Sequence, residues 1–193
     1  LTNVHVEGSD LITTDIEPGV FYNKNGIKIT AFDVAHLPMD PDTEELLGLE
    51  GATFGYRVDY KGRSVVFSGD TRSLPGSKII EISKGVDVLV HETQIPYPGD
   101  SKEAKLANVS MIVHSSPEQV AYVFNETRPR LGIYHHIIPP ETTRDQLLGM
   151  TDYDGRMEVA EDLMTLMIGD EITVGMAERM DGQTFLESDA VDE

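Results

Sequence analysis

The chain has 193 residues, enough for one domain with a sizeable core, and its 39 % apolar content is too high for a disordered protein. No apolar run approaches the roughly 18 residues of a membrane-spanning helix, and the absence of cysteine excludes disulfides, thiolate metal sites and cysteine nucleophiles. Fifteen Lys and Arg against 34 Asp and Glu give a net charge of −19, a field that repels phosphate backbones and anionic membranes and accommodates divalent cations.

The chain opens at Leu1 rather than methionine, which points to a processed or excised piece. "GVFYNKNGIKITAFDVAH" contains Asn25-Gly26, a favourable pair for a tight hairpin turn, and the imperfect alternation from Ile27 to Val34 predicts a strand closed by His36. The next sixteen residues, "LPMDPDTEELLGLEGA", form a long loop whose acids lack the regular spacing and central glycine of a calcium loop. "TFGYRVDY" and "RSVVFSGD" predict a second hairpin around Lys61-Gly62.

Beyond Asp70 the pattern changes. "SKIIEISKG" spaces its apolar residues as a short helix ending at Gly85, and the continuously apolar "VDVLVHE" predicts a strand buried on both faces. "SSPEQVAYVFNETRP" carries helix signals: Ser116 as N-cap, Pro117 in the first turn and Pro129 past the end. "RLGIYHH" is another buried strand, "GRMEVAEDLMTLMIGDEITVGMA" is β-rich, and residues 185–193 are an acidic tail expected to fray. Strands alternating with helices predict an α/β (α+β) layer after an antiparallel start, in a single domain over 1–193 without linker or repeat.

The chemistry collects at predicted strand ends: His36, Asp70, His91-Glu92 and His135-His136, with His114 after "VSMIV". Ligand sites in α/β sheets lie beyond the carboxyl ends of strands. Five of the six histidines can therefore share one sheet edge, and only His5 is unaffiliated. Singly, Asp70 would serve as a helix cap and His91 as a hydrogen-bonded core histidine. Jointly, strand-end imidazoles and a carboxylate are costly to bury unless paired or liganded. Without cysteine, imidazole and carboxylate are the donors left for zinc, iron or manganese, and a carboxylate can bridge two cations. No G-x-S-x-G elbow and no phosphate-binding glycine loop occurs. Asn108-Val-Ser and Asn125-Glu-Thr match the glycosylation triplet, a pattern that chance readily produces.

"AFDVAH", "TFGYRVDYKGRSVVFSGDT", "VDVLVHET", "HSSPEQVAYVFNETRPRLGIYHHIIPP" and "YDGRMEVAEDLM" occur in the order found in metallo-β-lactamase-fold hydrolases, and the chain resembles their ribonuclease Z and arylsulfatase-like branch over roughly residues 25–168. The resemblance implies the second half of an αβ/βα four-layer sandwich. It implies that His36 and His136, with His135 as the alternative, are metal ligands and that Asp70 bridges two divalent ions, zinc first, with manganese or iron as alternatives. Adjacent strand residues face opposite ways, which favours one of His135 and His136 over both. His114 matches the histidine of an H-[ST]-[ST] motif and is implied to assist proton transfer or to stabilise the transition state near the metals, with Asp70 as the other catalytic residue; His91 and Glu92 are expected around the ligands as outer supports. The family's His-x-His-x-Asp-His motif is absent from these residues, and His5 does not replace it.

The expected function is therefore hydrolysis by water activated at a dinuclear metal site. The charge favours a small ester, lactone, sulfate or phosphate ester as substrate and disfavours nucleic acid and membranes. A ribonuclease Z-like phosphodiesterase is the alternative, and a non-catalytic remnant a third reading. Homo-oligomerisation and compartment, cytoplasmic or periplasmic/secreted, are left open.

Overall fold

The computed structural model describes residues 13–36 and 53–177. His5, the acidic loop over 37–52 and the tail over 185–193 lie outside the described residues.

Four strands open the fold: β1 (Gly19–Lys24), β2 (Ile27–Asp33), β3 (Phe54–Tyr60) and β4 (Arg63–Phe67). Consecutive strands pair antiparallel. The two predicted turns are present and share a cause. Asn25 and Gly26 (φ 55° and 77°) and Lys61 and Gly62 (φ 47° and 76°) all adopt left-handed backbone, the conformation whose twist matches that of the flanking strands.

The second part is parallel. Helix α1 (Lys78–Ile82) returns the chain to β5 (Val88–Gln94), and α3 (Pro117–Thr127) returns it to β6 (Leu131–Ile138). Between β5 and α3 lie the short α2 (Lys102–Ala107) and a 3₁₀ turn (Asn108–Ile112). "VSMIV" is therefore not a strand. Helix α4 (Arg144–Gly149) and the edge strand β7 (Met157–Val159) follow, completing a seven-stranded sheet in the order β1 to β7. Strands β4, β5, β6 and β7 run parallel, so their carboxyl ends share one edge.

All seven residues of β5 are buried, as its unbroken apolar run predicts for a strand covered on both faces. On one face Phe32, Val66, Leu89 and Tyr134 pack with Ile79 of α1 and with Val120, Val123 and Phe124 of α3. Gly132 is required there, because a Cβ would stand 2.8 Å from the Phe124 ring. On the other face Val88, Val90, Leu131 and Ile133 lie under a separate hairpin, β8 (Met164–Ile168) and β9 (Ile172–Met176), through Leu166, Ile168, Ile172 and Val174. Helix α3 starts as its sequence predicts, with a reciprocal Ser116–Gln119 capping box and Pro117 in the first turn. Both glycosylation-pattern asparagines are engaged: Asn108 exchanges two hydrogen bonds with the Tyr97 backbone, and Asn125 donates to Asp152 O.

Asp87 fastens the hairpin to the sheet. Its carboxylate accepts from Ser64 N at 2.8 Å and from Arg130, whose guanidinium also donates to Gly169 O in the β8–β9 turn. Burial pushes the Asp87 carboxyl up, but the hydrogen bonds from Arg130 and Ser64 and the charges of Arg130 and Arg63 outweigh it and hold its pKa below the ordinary value. A depressed carboxyl contributes stability above its unfolded pKa of about 3.9 and loses it as pH falls through the folded value. Asp87→Asn is expected to lower stability at pH 7 by about 1.5–3 kcal/mol and to shrink that loss below pH ~4. Urea titrations of both proteins at pH 7 and pH 3 check this.

Candidate metal centre

The edge where β4, β5 and β6 end is also where the chain concentrates its imidazoles. Strand β4 stops at Phe67, and Ser68-Gly69 turns the backbone to present Asp70. Gly69 sits at φ 60°, and a Cβ there would lie 2.8 Å from Phe54 O. Gly69→Ala therefore combines left-handed strain with a backbone clash. It is expected to cost about 1–2 kcal/mol from strain alone and to displace Asp70, to be checked by thermal unfolding and zinc titration of the same variant.

Beyond β2, the run to His36 is stitched to the Asp70 turn. Ala35 N donates to Thr71 Oγ1 at 3.1 Å, and Arg72 N donates to Ala35 O at 2.8 Å. The His36 ring is set by Nδ1–H donating to Val113 O at 3.2 Å, which leaves the Nε2 lone pair free and 3.9 Å from Asp70 Oδ2. His136 arrives by a different device. Pairing between β5 and β6 jumps from Glu92↔His135 to Thr93↔Ile137, so His136 is the extra residue of a bulge, with φ 45°. Its Nε2 comes to 3.5 Å from the same Asp70 Oδ2. His135 stays in register, half-buried, and burial followed by the neighbouring His136 lowers its pKa. Strict alternation thus fails at this pair of residues, and the bulge singles out His136.

His114 closes the group. Its ring lies 4.8 Å from that of His36 and 5.8 Å from that of His136, centroid to centroid. Single donor atoms of His36, Asp70 and His114 lie within 4.8 Å of one another. His114 Nδ1 faces Glu92 Oε2 at 3.2 Å as an ion pair, and neither atom meets hydrogen-bond geometry with any partner among the described residues. The Glu92 carboxylate facing Nδ1 raises the His114 pKa against the opposing effect of burial, with the charge of Asp70 adding to the rise. Glu92 is fully buried, and its Oε1 accepts from Thr71 N at 3.1 Å and Ser115 N at 2.9 Å.

His91 stands elsewhere. It points to the helix-covered face, 6.5 Å from the Phe124 ring, and burial lowers its pKa, which favours the neutral ring. Its Nδ1–H donates to Glu92 O at 2.7 Å, so Nε2 accepts from Ser73 Oγ at 2.9 Å. The sequence grouping of His91 with Glu92 therefore separates into a core histidine and a carboxylate that serves His114. Sequence reasoning passed over the buried hydroxyls of Ser68, Thr71, Ser73 and Ser115; the small polar residues in "SGDTRS" and "HSS" were the available signal.

The donor set fits a divalent cation: imidazole nitrogens and a carboxylate oxygen, without sulfur. Two donors bound to one tetrahedral zinc stand about 3.3 Å apart for ligand distances near 2.05 Å. The 3.5 and 3.9 Å separations at Asp70 are close to that spacing and too long for direct hydrogen bonds.

A family model described as a beta-lactamase superfamily domain matches residues 2–137. Ribonuclease Z of Mycobacterium tuberculosis strain H37Rv is 26% identical over 156 residues, which covers 75% of this chain and 50% of that protein. Ribonuclease Z of Thermoplasma acidophilum is 36% identical over 88 residues, covering 42% of this chain and 26% of that protein. The chain thus spans about half the length of the mycobacterial relative. In fold, it is similar to the metallo-β-lactamase fold protein YhfI from Bacillus subtilis (TM-score 0.51, 16% identity, 72% of this chain and 49% of that one). It is also similar to Igni18, a metallo hydrolase from Ignicoccus hospitalis (TM-score 0.50, 13% identity, 86% and 61%).

These sequence relatives correct the expectation of a small-molecule substrate with nucleic acid disfavoured, since both are ribonucleases by name. That expectation weighted the net charge too heavily. Charge summed over a surface is screened within about 8 Å at physiological ionic strength, whereas a substrate is recognised locally.

Proposed function

The chain belongs to the beta-lactamase superfamily and has the metallo-β-lactamase fold, and on that premise we propose that it supplies part of the metal site of a ribonuclease Z-like RNA phosphodiesterase. One observation carries the reading: His36 and His136 converge on a single Asp70 oxygen beside the buried Glu92–His114 pair.

In this reading His36 and His136 would serve as ligands and Asp70 as the carboxylate shared between two divalent ions, zinc first, together with further donors. Bound divalent cations supply a nucleophilic water near neutral pH and offset charge at the phosphate. The chain's own residues do the rest. The Val113 carbonyl fixes the His36 tautomer, so that Nε2 faces the metal position. Asp70 offers two oxygens from a turn held by Thr71 and Arg72. Glu92 keeps His114 protonated to higher pH than a free imidazole and orients it through Nδ1, leaving Nε2–H to protonate the departing oxygen. Transfer of that proton leaves a neutral ring whose Nδ1–H still faces Glu92.

The test joins the chain to the His-x-His-x-Asp-His half of a ribonuclease Z, loads zinc, and compares a tRNA precursor with aryl esters. Cleavage of the RNA is expected, falling about 10²–10⁴-fold in His114→Ala, the range of a lost general acid. Zinc binding accompanied by ester hydrolysis alone, or by no hydrolysis, would reject the phosphodiesterase reading.

A further inference from the structure

Ser115 has no part in the chemistry above, yet it is fully buried and hydrogen-bonded through every polar atom it has. Its Oγ donates to Thr71 O at 2.6 Å and accepts from Ser73 N at 2.9 Å. Its backbone N donates to Glu92 Oε1 at 2.9 Å, and its carbonyl accepts from Thr93 Oγ1 at 3.1 Å and from Gln94 N at 2.8 Å. Thr71 N returns to the same Glu92 oxygen at 3.1 Å. Three bonds therefore form a closed ring through Glu92, Ser115 and Thr71, which belong to three separate segments of the chain. Ser115 follows His114 directly, and Thr71 follows Asp70.

We propose that Ser115 is a positioning residue, fixing the Asp70 turn relative to the Glu92–His114 pair so that the bridging carboxylate and the proton-donating imidazole keep one separation. The inference rests on the metal-site reading above. Three features set this serine apart from an ordinary core hydroxyl. Its partners flank Asp70 on the side of Thr71 and Ser73. Its own backbone touches the carboxylate that serves His114. No alternative acceptor or donor for Thr71 O and Ser73 N is recorded among the described residues. The same turn is gripped from the opposite face by His91, through Ser73 Oγ, so the loop is held on both sides and Ser115 sets the side that faces the site.

The experiment compares the wild-type chain, Ser115→Ala and Thr127→Val. Thr127 is a matched control: a buried hydroxyl that donates to Val123 O at 2.7 Å within α3, with no bond to the site. Amide hydrogen exchange is read on the metal-free proteins, and zinc affinity by calorimetry. In Ser115→Ala the amides of Thr71 and Ser73 are expected to lose protection at least tenfold while those of β5 and α3 keep theirs. Zinc affinity is expected to fall about 10–100-fold, the range for a lost outer support of a metal ligand, with Thr127→Val unchanged in both measurements. Ser115→Ala with wild-type loop protection and wild-type zinc affinity overturns the proposal, as does an equal loss of affinity in Thr127→Val. If Ser115→Ala does not fold, the wild-type chain decides. A Ser73 amide that exchanges as slowly as those of β5 supports the proposal, and a fast one overturns it. A wild-type chain that binds no zinc overturns the metal-site reading instead, and the exchange data then judge Ser115 on their own.

Discussion

Asp70→Ala is expected to remove divalent-cation binding from the chain while leaving it folded. Among the described residues Asp70 makes no hydrogen bond, and its side chain is 38% exposed, so truncation opens no core cavity. Surface changes of this kind move stability by less than about 0.5 kcal/mol. The loss to the site is of a different order. Asp70 is the carboxylate on which His36 and His136 converge, and without it no carboxylate remains at this point to offset a cation's desolvation. Zinc affinity should fall beyond the roughly 100-fold upper range seen for outer supports. Calorimetry reads the affinity. Thermal unfolding reads it independently, because zinc at 100 times the wild-type Kd should stabilise the wild-type chain by about 2.7 kcal/mol and the variant by less than about 0.4 kcal/mol. Equal zinc stabilisation of both proteins would refute the assignment of Asp70.

Glu92→Ala should act on the fold itself. It deletes a fully buried carboxylate, leaves Thr71 N and Ser115 N without their acceptor, and takes from His114 Nδ1 the charge it faces. Breaking a buried pair by removing one member costs about 3–5 kcal/mol, a large share of the roughly 5–15 kcal/mol that holds a domain of this kind together. Glu92→Gln separates the charge from the hydrogen bonds, since one amide oxygen can still accept from both backbone N–H groups. The pH dependence discriminates the two effects. His114 has a raised pKa in the folded chain, so its contribution to stability is full below the unfolded value of about 6.5 and is lost as pH rises through the folded value. In the metal-free Glu92→Gln chain that slope should flatten. Urea titrations between pH 5 and 9 with a chelator present measure it, and an unaltered slope would show that Glu92 does not hold the His114 proton.

Some of this was legible in the residues because the signals are local. Asn25-Gly26 and Lys61-Gly62 specify turns through their own backbone preferences, β5 announces its double burial by an unbroken apolar run, and α3 carries its cap and proline within four residues. The convergence of His36, Asp70 and His136 was legible for a topological reason: parallel strands end together, so side chains just past them meet. Other features depend on the assembled sheet. Helices α2 and α4 have six residues each, under two turns, too short for a periodic signature. The β6 bulge exists only in register with β5, and that same register decides that Glu92 reaches His114 while its neighbour His91 turns to the opposite face. Net charge misled because it has no location.

The surplus residue in β6 also separates two kinds of selection on this stretch. Pairing on either side of His136 continues undisturbed, so the β-ladder demands of that place only a residue that accepts φ 45°. Any further constraint there comes from what the imidazole touches. The site can accordingly be tuned or silenced at this one position without disturbing the scaffold, whereas at Glu92 chemistry and architecture are inseparable.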